Sequence, residues 1–332
     1  MAEETDAMSG TSDIVLSVRD LRTYFFTQRG VGKAADGVSF DLHRGETLGL
    51  VGESGCGKSI TSLSIVGLHP RPASRIVGGQ IIFDGEDLVT LSADELRRYR
   101  GKRLAMILQD PMSALNPVFT VRNQLSQPLR LHQGLRGHSL KDRVIELLKL
   151  LRIPAPERRL GSFPHQFSGG MRQRVVGAIG LSCSPEVLIA DEPTTSLDVT
   201  VQAAYLALLK DIQQQTELAI LFITHDFSVV ARMCDRVAVM YAGKIVETAP
   251  TWELFEHPAH PYTEALLNSV PDVRLGTTRL YAIEGYPPSI YERPPGCPFA
   301  QRCPYVMPRC LDEYPAEVEI TEGHQTSCWR HI

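Results

Sequence analysis

The segment Gly52–Ser59, with the sequence GESGCGKS, carries the clearest chemistry in the chain, because it contains the pattern G-x-x-x-x-G-K-S in full. It lies between a strand-like apolar run at 47–51 and a helix-like run at 60–68, a context in which backbone N–H groups and the positive helix end can surround a polyphosphate. Lys58 would reach the β- and γ-phosphates, and the Ser59 hydroxyl would bind Mg²⁺. The alternative is a glycine-rich turn before an ordinary helix, but the complete pattern favours a nucleoside triphosphate site. Its predicted binding residues are Gly52, Glu53, Ser54, Gly55, Cys56, Gly57, Lys58, Ser59 and Ile60.

Two carboxylates form the second candidate, where the apolar run 187–190 ends in Asp191 and Glu192. Beside a phosphate loop, Asp191 can hold Mg²⁺ through its waters and Glu192 can polarise an attacking water. The alternative is a pair of solvated acidic residues at a strand end. Combined with the phosphate loop, the pair predicts hydrolysis of the bound nucleotide.

The third candidate is the segment 167–171, in which Ser168 and two glycines precede a helical pattern over 172–181. The N–H groups at the start of that helix could form a second anion site. Alone this signal is weak, because Ser168 could simply cap the helix.

The elements that must position these residues alternate between strand and helix patterns. Strand-like apolar runs recur at 47–51, 187–190 and 219–223, whereas 120–182 is helical, with apolar residues at i, i+3, i+4 and i+7 in one segment. The sequence therefore predicts an α/β fold, with a helical insertion between two halves of one nucleotide-binding core.

Length and charge restrict the other functions. A chain of 332 residues can form a main domain and a smaller one. A formal net charge of −4 and a pI near 6.2 provide no basic field for nucleic acid. No apolar run reaches the ~20 residues of a membrane span, and residues 1–12 are predicted to be a flexible tail without a signal-peptide core. These features indicate a reducing cytosol, where the seven cysteines would not pair.

The order of the motifs resembles that of ATPase subunits of ABC transporters, whose signature sequence is usually LSGGQ. Gln109 heads the helical insertion, Asp198 follows the two carboxylates, and His225 follows the strand at 219–223. The resemblance covers about residues 14–250.

This resemblance implies a fold and its division. Residues 13–250 would form a P-loop ATPase cassette with a RecA-like core, an antiparallel β subdomain and a helical subdomain at about 110–182. Residues 251–332 would form a C-terminal extension.

The resemblance also implies residue roles. Phe25, or else Tyr24, would stack on adenine. Gln109 would contact Mg²⁺ and the attacking water and sense the membrane partner, and His225 would contact the γ-phosphate. Without the resemblance, a core histidine that caps a strand would be the favoured interpretation of His225. Asp198 would lie at the seam of a dimer.

The signature residues would serve a neighbouring subunit. Ser168, Gly169, Gly170 and Met171 would bind the γ-phosphate held by an opposite cassette, so that each ATP is sandwiched between two subunits. Met171 replaces the commoner glutamine, and Phe167 replaces leucine, but both keep the backbone N–H donors. The unusual Met171 suggests a partner cassette that is related but distinct.

The segment HPAHPYTEALL, which begins at His257, resembles the tail of the peptide/nickel importer group. Gly296-Cys297 and Arg302-Cys303-Pro304 add to this resemblance, which fits the oligopeptide/dipeptide subunits best. The two histidines could suggest a metal site, but prolines interrupt their spacing and favour a structural turn, with Pro261 in the first turn of a helix.

Four of the seven cysteines lie in this tail, namely Cys297, Cys303, Cys310 and Cys328. Because the segment is rich in proline and poor in apolar residues, it is predicted to need a metal to fold. Gaps of five, six and seventeen residues are wide for zinc and also suit a [4Fe–4S] cluster. The resemblance favours the cluster, because some family members carry one at similar cysteines, with zinc and the absence of any metal as the alternatives. The ATP site is expected to lie in a separate core.

The resulting hypothesis is an ATP-hydrolysing subunit of a peptide importer that binds ATP and Mg²⁺ on the cytoplasmic face of the inner membrane. Its partners would be a second cassette, two permease subunits and, through the complex, an extracytoplasmic substrate-binding protein, with no nucleic acid. Alternatives are an importer ATPase for nickel or another small solute, or a soluble ABC ATPase acting on DNA, ribosomes or cluster assembly. A non-enzymatic regulator would lack Lys58 or Glu192, and both are present.

Overall fold

A computed structural model describes residues 13–270 and 283–332 of the chain, so the predicted tail at 1–12 lies outside the described residues. The strands are β1 (Ile14–Thr27), β2 (Gly30–His43), β3 (Thr47–Val51), β4 (Ser74–Phe83), β5 (Glu86–Asp87), β6 (Leu104–Ile107), β7 (Val187–Asp191), β8 (Ala219–Thr224), β9 (Arg236–Tyr241), β10 (Lys244–Pro250), β11 (Val318–Thr321) and β12 (His324–Thr326). The helices are α1 (Lys58–Ile65), α2 (Ala93–Leu96), α3 (Pro111–Ala114), α4 (Val121–Gln133), α5 (Gly137–Leu150), α6 (Pro156–Arg159), α7 (Gly169–Leu181), α8 (Val199–Thr216), α9 (Phe227–Met233), α10 (Thr251–Glu256), α11 (Pro261–Asn268) and α12 (Pro308–Asp312).

The main sheet has the strand order β11-β12-β10-β9-β3-β8-β7-β6. Strands β9, β3, β8, β7 and β6 are parallel to one another. Alternate residues of these strands belong to two separate hydrophobic clusters, as Val51 and Leu50 of β3 do. Both faces of the parallel region are therefore covered, which explains why its strands appear in the sequence as unbroken apolar runs.

The second sheet is antiparallel, with the order β2-β1-β4-β5. Strands β1 and β2 of this sheet each extend over 14 residues. The pairing register of β1 shifts between Val18 and Leu21, where Asp20 has a φ of +48°. A bulge of this kind interrupts the two-residue hydrophobic period, so the full strand length was hidden in the sequence.

Helices α4, α5 and α7 pack on one another at the side of the sheet that carries β6. Their buried apolar residues include Leu125, Val144 and Val175, and these join the larger hydrophobic cluster of the main sheet. This helical region lies in the chain between β6 and β7, so it links the strand before Gln109 to the strand that carries Asp191.

The C-terminal region is attached to the cassette rather than standing apart from it. Leu254 of α10 and Tyr262 of α11 are fully buried in the main core. Strand β12 pairs with β10 through Glu247 and Thr326, so residues of the extension prolong the main sheet. A small separate cluster contains Trp329 and Cys310. The extension therefore obtains much of its burial from the cassette.

Candidate functional site

The phosphate loop lies between the fully buried strand β3 and helix α1, at the carboxyl end of the parallel strands, where open α/β sheets bind ligands. At Gly52 an added Cβ would lie 2.1 Å from the carbonyl oxygen of Met240, and at Gly57 it would lie 2.4 Å from that of Ala34. Both glycines also have positive φ values, +151° and +113°. Close approach of neighbouring backbone therefore requires glycine at both positions.

Lys58 is buried inside this loop. Its Nζ donates to the carbonyl oxygens of Gly52 and Glu53, at 2.7 and 3.0 Å. The loop therefore curls around the ammonium group, which lies where a polyphosphate threaded through the loop would find a cation.

Ser59 and Asp191 meet across the site although 132 positions separate them in the chain. The hydroxyl Oγ of Ser59 lies 3.4 Å from Oδ1 of Asp191, at the end of β7. Burial of Asp191 raises the pKa of its carboxyl. A hydroxyl and a carboxylate at this edge of the sheet are oxygen donors that suit Mg²⁺.

Glu192 is the point at which three further side chains converge. Gln109 donates through Nε2 to Glu192 Oε2 at 2.8 Å, and Thr195 donates to the same oxygen at 3.0 Å. Nδ1 of His225 lies 3.2 Å from Oε1. The residues come from the loops after β6, β7 and β8, and the structure thus brings together Glu192, Gln109 and His225.

The surroundings of Glu192 keep its carboxylate ionised. Burial raises its pKa, but hydrogen bonds from His225 and Thr195 and the positive charges of His225 and Lys58 lower it, and the net pKa is lowered. The backbone of Glu192 has a φ of +45°, an unusual conformation for a residue with a side chain. A charged acceptor is therefore held in a constrained position at the strand end.

A cleft of about 260 Å³ adjoins these groups and is lined by Gly52, Glu53, His225, Phe227, Leu266, Ser269 and Ile283. Three residues of the extension, Leu266, Ser269 and Ile283, thus form part of the rim beside the phosphate loop.

The segment Ser168–Met171 lies at the start of α7. The Ser168 hydroxyl caps this helix by accepting from the Met171 N–H at 3.3 Å, and Asp198 caps α8 by accepting from the Val201 N–H at 3.0 Å. A Cβ at Gly170 would lie 2.3 Å from Val201, so the two helix starts are in contact. Among the residues that the structure describes, no hydrogen bond joins Ser168–Met171 to the phosphate loop.

The two aromatic candidates for adenine stacking have different surroundings. The hydroxyl of Tyr24 donates to Asp36, and Lys33 lies over its ring, 5.8 Å from the centroid. Burial and the bond to Asp36 raise the pKa of Tyr24 to about 12. Phe25 is half-buried and makes no comparable polar contact, which leaves it as the better stacking surface of the two.

The sequence did not reveal that the extension binds the phosphate loop. Arg302 donates through both Nη atoms to the Glu53 carboxylate, at 2.7 and 2.9 Å, and Tyr262 Oη accepts from the Glu53 N–H at 2.8 Å. The expectation that the ATP site and the cysteine tail lie in separate cores is therefore wrong. The sequence carried no signal for this pair, because the partners are 249 positions apart.

The four cysteines of the extension, Cys297, Cys303, Cys310 and Cys328, line one narrow cavity of about 20 Å³. Burial raises the pKa of Cys297 to about 11 and also raises the pKa values of Cys303 and Cys328. Within residues 13–270 and 283–332, no three His, Cys, Asp or Glu side chains form a group that could hold a metal ion. The remaining cysteines, Cys56, Cys183 and Cys234, are buried in the cassette.

A phosphate loop, a Ser–Asp pair and a carboxylate held by glutamine and histidine define an ATP-hydrolysing cassette of the P-loop class. In the described part of the chain, no helix is long and apolar enough to cross a membrane.

Comparison with known proteins identifies the family. The profile described as "ABC transporter" matches residues 35–195, and that of "Oligopeptide/dipeptide transporter, C-terminal region" matches residues 246–310. The chain is 50% identical over 320 residues to a probable peptide ABC transporter ATP-binding protein of Sinorhizobium fredii, covering 96% of each chain. It is also 50% identical to the dipeptide transport ATP-binding protein DppD of Bacillus subtilis, covering 95% of this chain and 94% of the relative.

Solved structures give the same result at the level of the fold. The dimeric ATP-binding cassette MJ0796, bound to ADP and Pi, superposes with a TM-score of 0.64 and 25% identity over 71% of this chain and 98% of that one. The protein described here therefore belongs to the ABC transporter family, as an ATP-binding subunit, and it is an ABC ATPase.

Proposed function

We propose that this ABC ATPase powers the import of peptides by hydrolysing ATP between two cassettes. The observation that carries the chemistry is the position of the Glu192 carboxylate, which Gln109 and His225 hold beside the Ser59–Asp191 pair. Relatives about 50% identical over nearly the whole chain are described as peptide and dipeptide transport ATP-binding proteins, which supports the choice of solute.

The residues divide the hydrolytic work among them. Phe25 stacks on the adenine, and the phosphate loop binds the phosphates. Ser59 and, through water, Asp191 would hold Mg²⁺, which would supply positive charge to the phosphates when bound. Glu192 accepts a hydrogen bond from the attacking water and orients it, while Gln109 and His225 hold the water and the γ-phosphate in place.

A second cassette is required because the signature segment Ser168–Met171 is not bonded to the phosphate loop of its own chain. In the closed assembly its N–H groups reach the γ-phosphate bound by the partner, with Asp198 at the seam. The exposed Val199, next to Asp198 at the start of α8, provides an apolar contact there. Met171 favours a partner that is a related but different chain.

The permease binds in the groove between β6 and the helical region. This groove has a volume of about 550 Å³, and its lining includes the exposed apolar side chains of Leu68, Phe119 and Leu131. The groove lies beside the segment that carries Gln109. Movement of a permease helix bound there would therefore shift Gln109 and so affect the hydrolytic site. The complex, with its substrate-binding protein outside, places this chain on the cytoplasmic face of the inner membrane.

The four cysteines bind a [4Fe–4S] cluster that ties the extension together, with zinc as the alternative. Thiols are the donors that either group takes, and all four line one cavity, although in the described residues no three of them are placed close enough to hold a metal ion. The cavity has room for about one water molecule, so the thiol side chains must move apart to admit a cluster. When bound, the metal group would act as a structural cross-link.

Reconstitution tests the proposal. The chain, its neighbouring cassette and the two permeases are placed in vesicles with the substrate-binding protein, and uptake of labelled peptides is measured with and without ATP. We expect ATP-dependent peptide uptake that is abolished by Lys58→Ala. Uptake of nickel but not of peptides would refute peptides as the solute. An active complex that contains two copies of this chain would refute only the proposal that the partner cassette is a different chain. Robust ATPase activity of a strictly monomeric preparation would refute the two-cassette mechanism.

A further inference from the structure

Glu53, the second residue of the phosphate loop, is held from two directions by the C-terminal region. Its carboxylate accepts a hydrogen bond from each Nη atom of Arg302, and its backbone N–H donates a hydrogen bond to the hydroxyl of Tyr262. A bidentate arginine–carboxylate pair fixes orientation as well as distance. The side chain of Glu53 is therefore directed to the extension.

Arg302 is itself locked in one orientation. Its side chain is only 5% exposed, and it donates to the Tyr241 hydroxyl at 3.2 Å and to the carbonyl oxygen of Glu284 at 3.0 Å. The ring of Phe299 packs against Tyr241 and Tyr262, with centroid distances of 5.4 Å in both cases. The guanidinium group is thus held by these hydrogen bonds and by its burial among aromatic rings.

This arginine is joined to the cysteine cavity by the chain itself. Arg302 directly precedes Cys303, and the turn from Cys297 to Cys303 is closed by backbone hydrogen bonds from Ala300 to Cys297 and from Cys303 to Ala300. A rearrangement of the cavity that displaces the backbone of this turn would therefore be transmitted to Arg302.

Glu53, which Arg302 holds, also contacts Lys58, the cation of the phosphate loop. Lys58 Nζ is hydrogen-bonded to the carbonyl oxygens of Gly52 and Glu53. The position of the Glu53 backbone consequently determines where the ammonium group of Lys58 is held before a nucleotide arrives.

We propose that Arg302 is a positioning residue for the phosphate loop and that it couples the state of the four-cysteine cavity to nucleotide affinity. The inference rests on the proposed function only in taking Gly52–Ser59 as the ATP site. It assigns to the extension a regulatory role in nucleotide binding, in addition to any structural role of a bound metal.

Equilibrium binding of N-methylanthraniloyl-ATP with Mg²⁺ to the full chain tests the first part. We expect Arg302→Met to weaken binding about tenfold, because a hydrogen-bonded charged partner of the loop is lost. Arg302→Lys should restore part of the affinity, since it keeps one charged contact but not the fork. The unfolding temperature is measured for each variant, so that a change in affinity is separated from a loss of fold.

The matched control is Arg309→Met. Arg309 also directly precedes a cysteine of the extension, Cys310, and donates to the Glu313 carboxylate at 3.3 Å, but it does not contact the phosphate loop. We expect its nucleotide affinity to stay within about twofold of the wild type. Equal losses in Arg302→Met and Arg309→Met would refute a specific role for Arg302. If Arg302→Met does not fold, Glu53→Gln replaces it, and unchanged affinity in that variant would refute the role.

A double-mutant cycle with Cys303→Ser tests the coupling. We expect Cys303→Ser to weaken nucleotide binding when Arg302 is present and to have no further effect in the Arg302→Met background. Strictly additive effects, or no effect of Cys303→Ser on affinity, would overturn the coupling. Lys58→Ala reports separately on the site: if it leaves nucleotide affinity unchanged, the proposed ATP site fails rather than the coupling.

Discussion

Replacement of Glu192 by glutamine isolates the hydrolytic step from nucleotide binding. The amide has nearly the same shape as the carboxylate, and its oxygen can still accept from Gln109 and Thr195. What disappears is the negative charge that accepts a proton from water. The phosphate loop and the Ser59–Asp191 pair are untouched, so ATP should bind as before and hold the two cassettes closed.

The magnitude follows from the contacts. The variant loses one charge-assisted contact, to the His225 ring, whose side chain is 57% exposed, so the free energy of unfolding should change by less than about 1 kcal/mol. Loss of a positioned base slows reactions by about 10²- to 10⁴-fold, or roughly 3–5 kcal/mol in activation free energy. The catalytic effect therefore exceeds any effect on stability.

The assay compares ATP turnover in the assembled complex with dimer formation by size-exclusion chromatography in ATP. We expect turnover to fall at least about a hundredfold while a closed dimer accumulates. Glu186→Gln is the control, because the partly buried Glu186 carboxylate pairs with Arg103 away from the nucleotide site. This substitution should lower stability but leave ATP turnover per folded complex unchanged. Unchanged turnover in Glu192→Gln would refute the assignment of Glu192.

Three further predictions address the phosphate loop, strand β12 and the cysteines. Gly57→Ala should lower the free energy of unfolding by about 3 kcal/mol or more, because the added Cβ would clash with the Ala34 carbonyl and the residue has a positive φ. Urea titrations measure this change, and a loss below about 1 kcal/mol would contradict the prediction. The hydrogen bond to Glu247 raises the pKa of His324 above its ordinary value of 6.5, so its stabilising contribution should be complete below that value and disappear as the pH rises through the raised folded pKa. Urea unfolding at successive pH values should show this decline in wild type but not in His324→Gln, and equal pH dependence in both would refute it. Anaerobically purified protein should be brown, and Cys303→Ser should bleach it and expose residues after about 290 to protease. A colourless protein with one zinc per chain would refute the cluster, and four freely alkylated thiols with an intact tail would refute any metal.

The chemistry of the nucleotide site could be predicted from the sequence because its main parts are local. The phosphate loop Gly52–Ser59 is contiguous, and a loop between a buried strand and a helix can adopt few conformations once its glycines are placed. Asp191 and Glu192 likewise follow an apolar run whose burial on both faces made it recognisable as a central strand. In such segments, the number of residues between two side chains already fixes how far apart they lie in the structure.

Only the tertiary structure decided which distant residues meet. Gln109 and His225 converge on Glu192 because β6, β7 and β8 are neighbours in the sheet, and strand order is not written in any one segment. The pairing of Arg302 with Glu53 joins the end of the chain to its phosphate loop. The sequence predicted the opposite, an ATP site in a separate core and a tail too poor in apolar residues to fold without a metal. That deficit is met by docking on strand β10 and on Tyr241 of the cassette, since burial against an existing core requires no core within the extension itself.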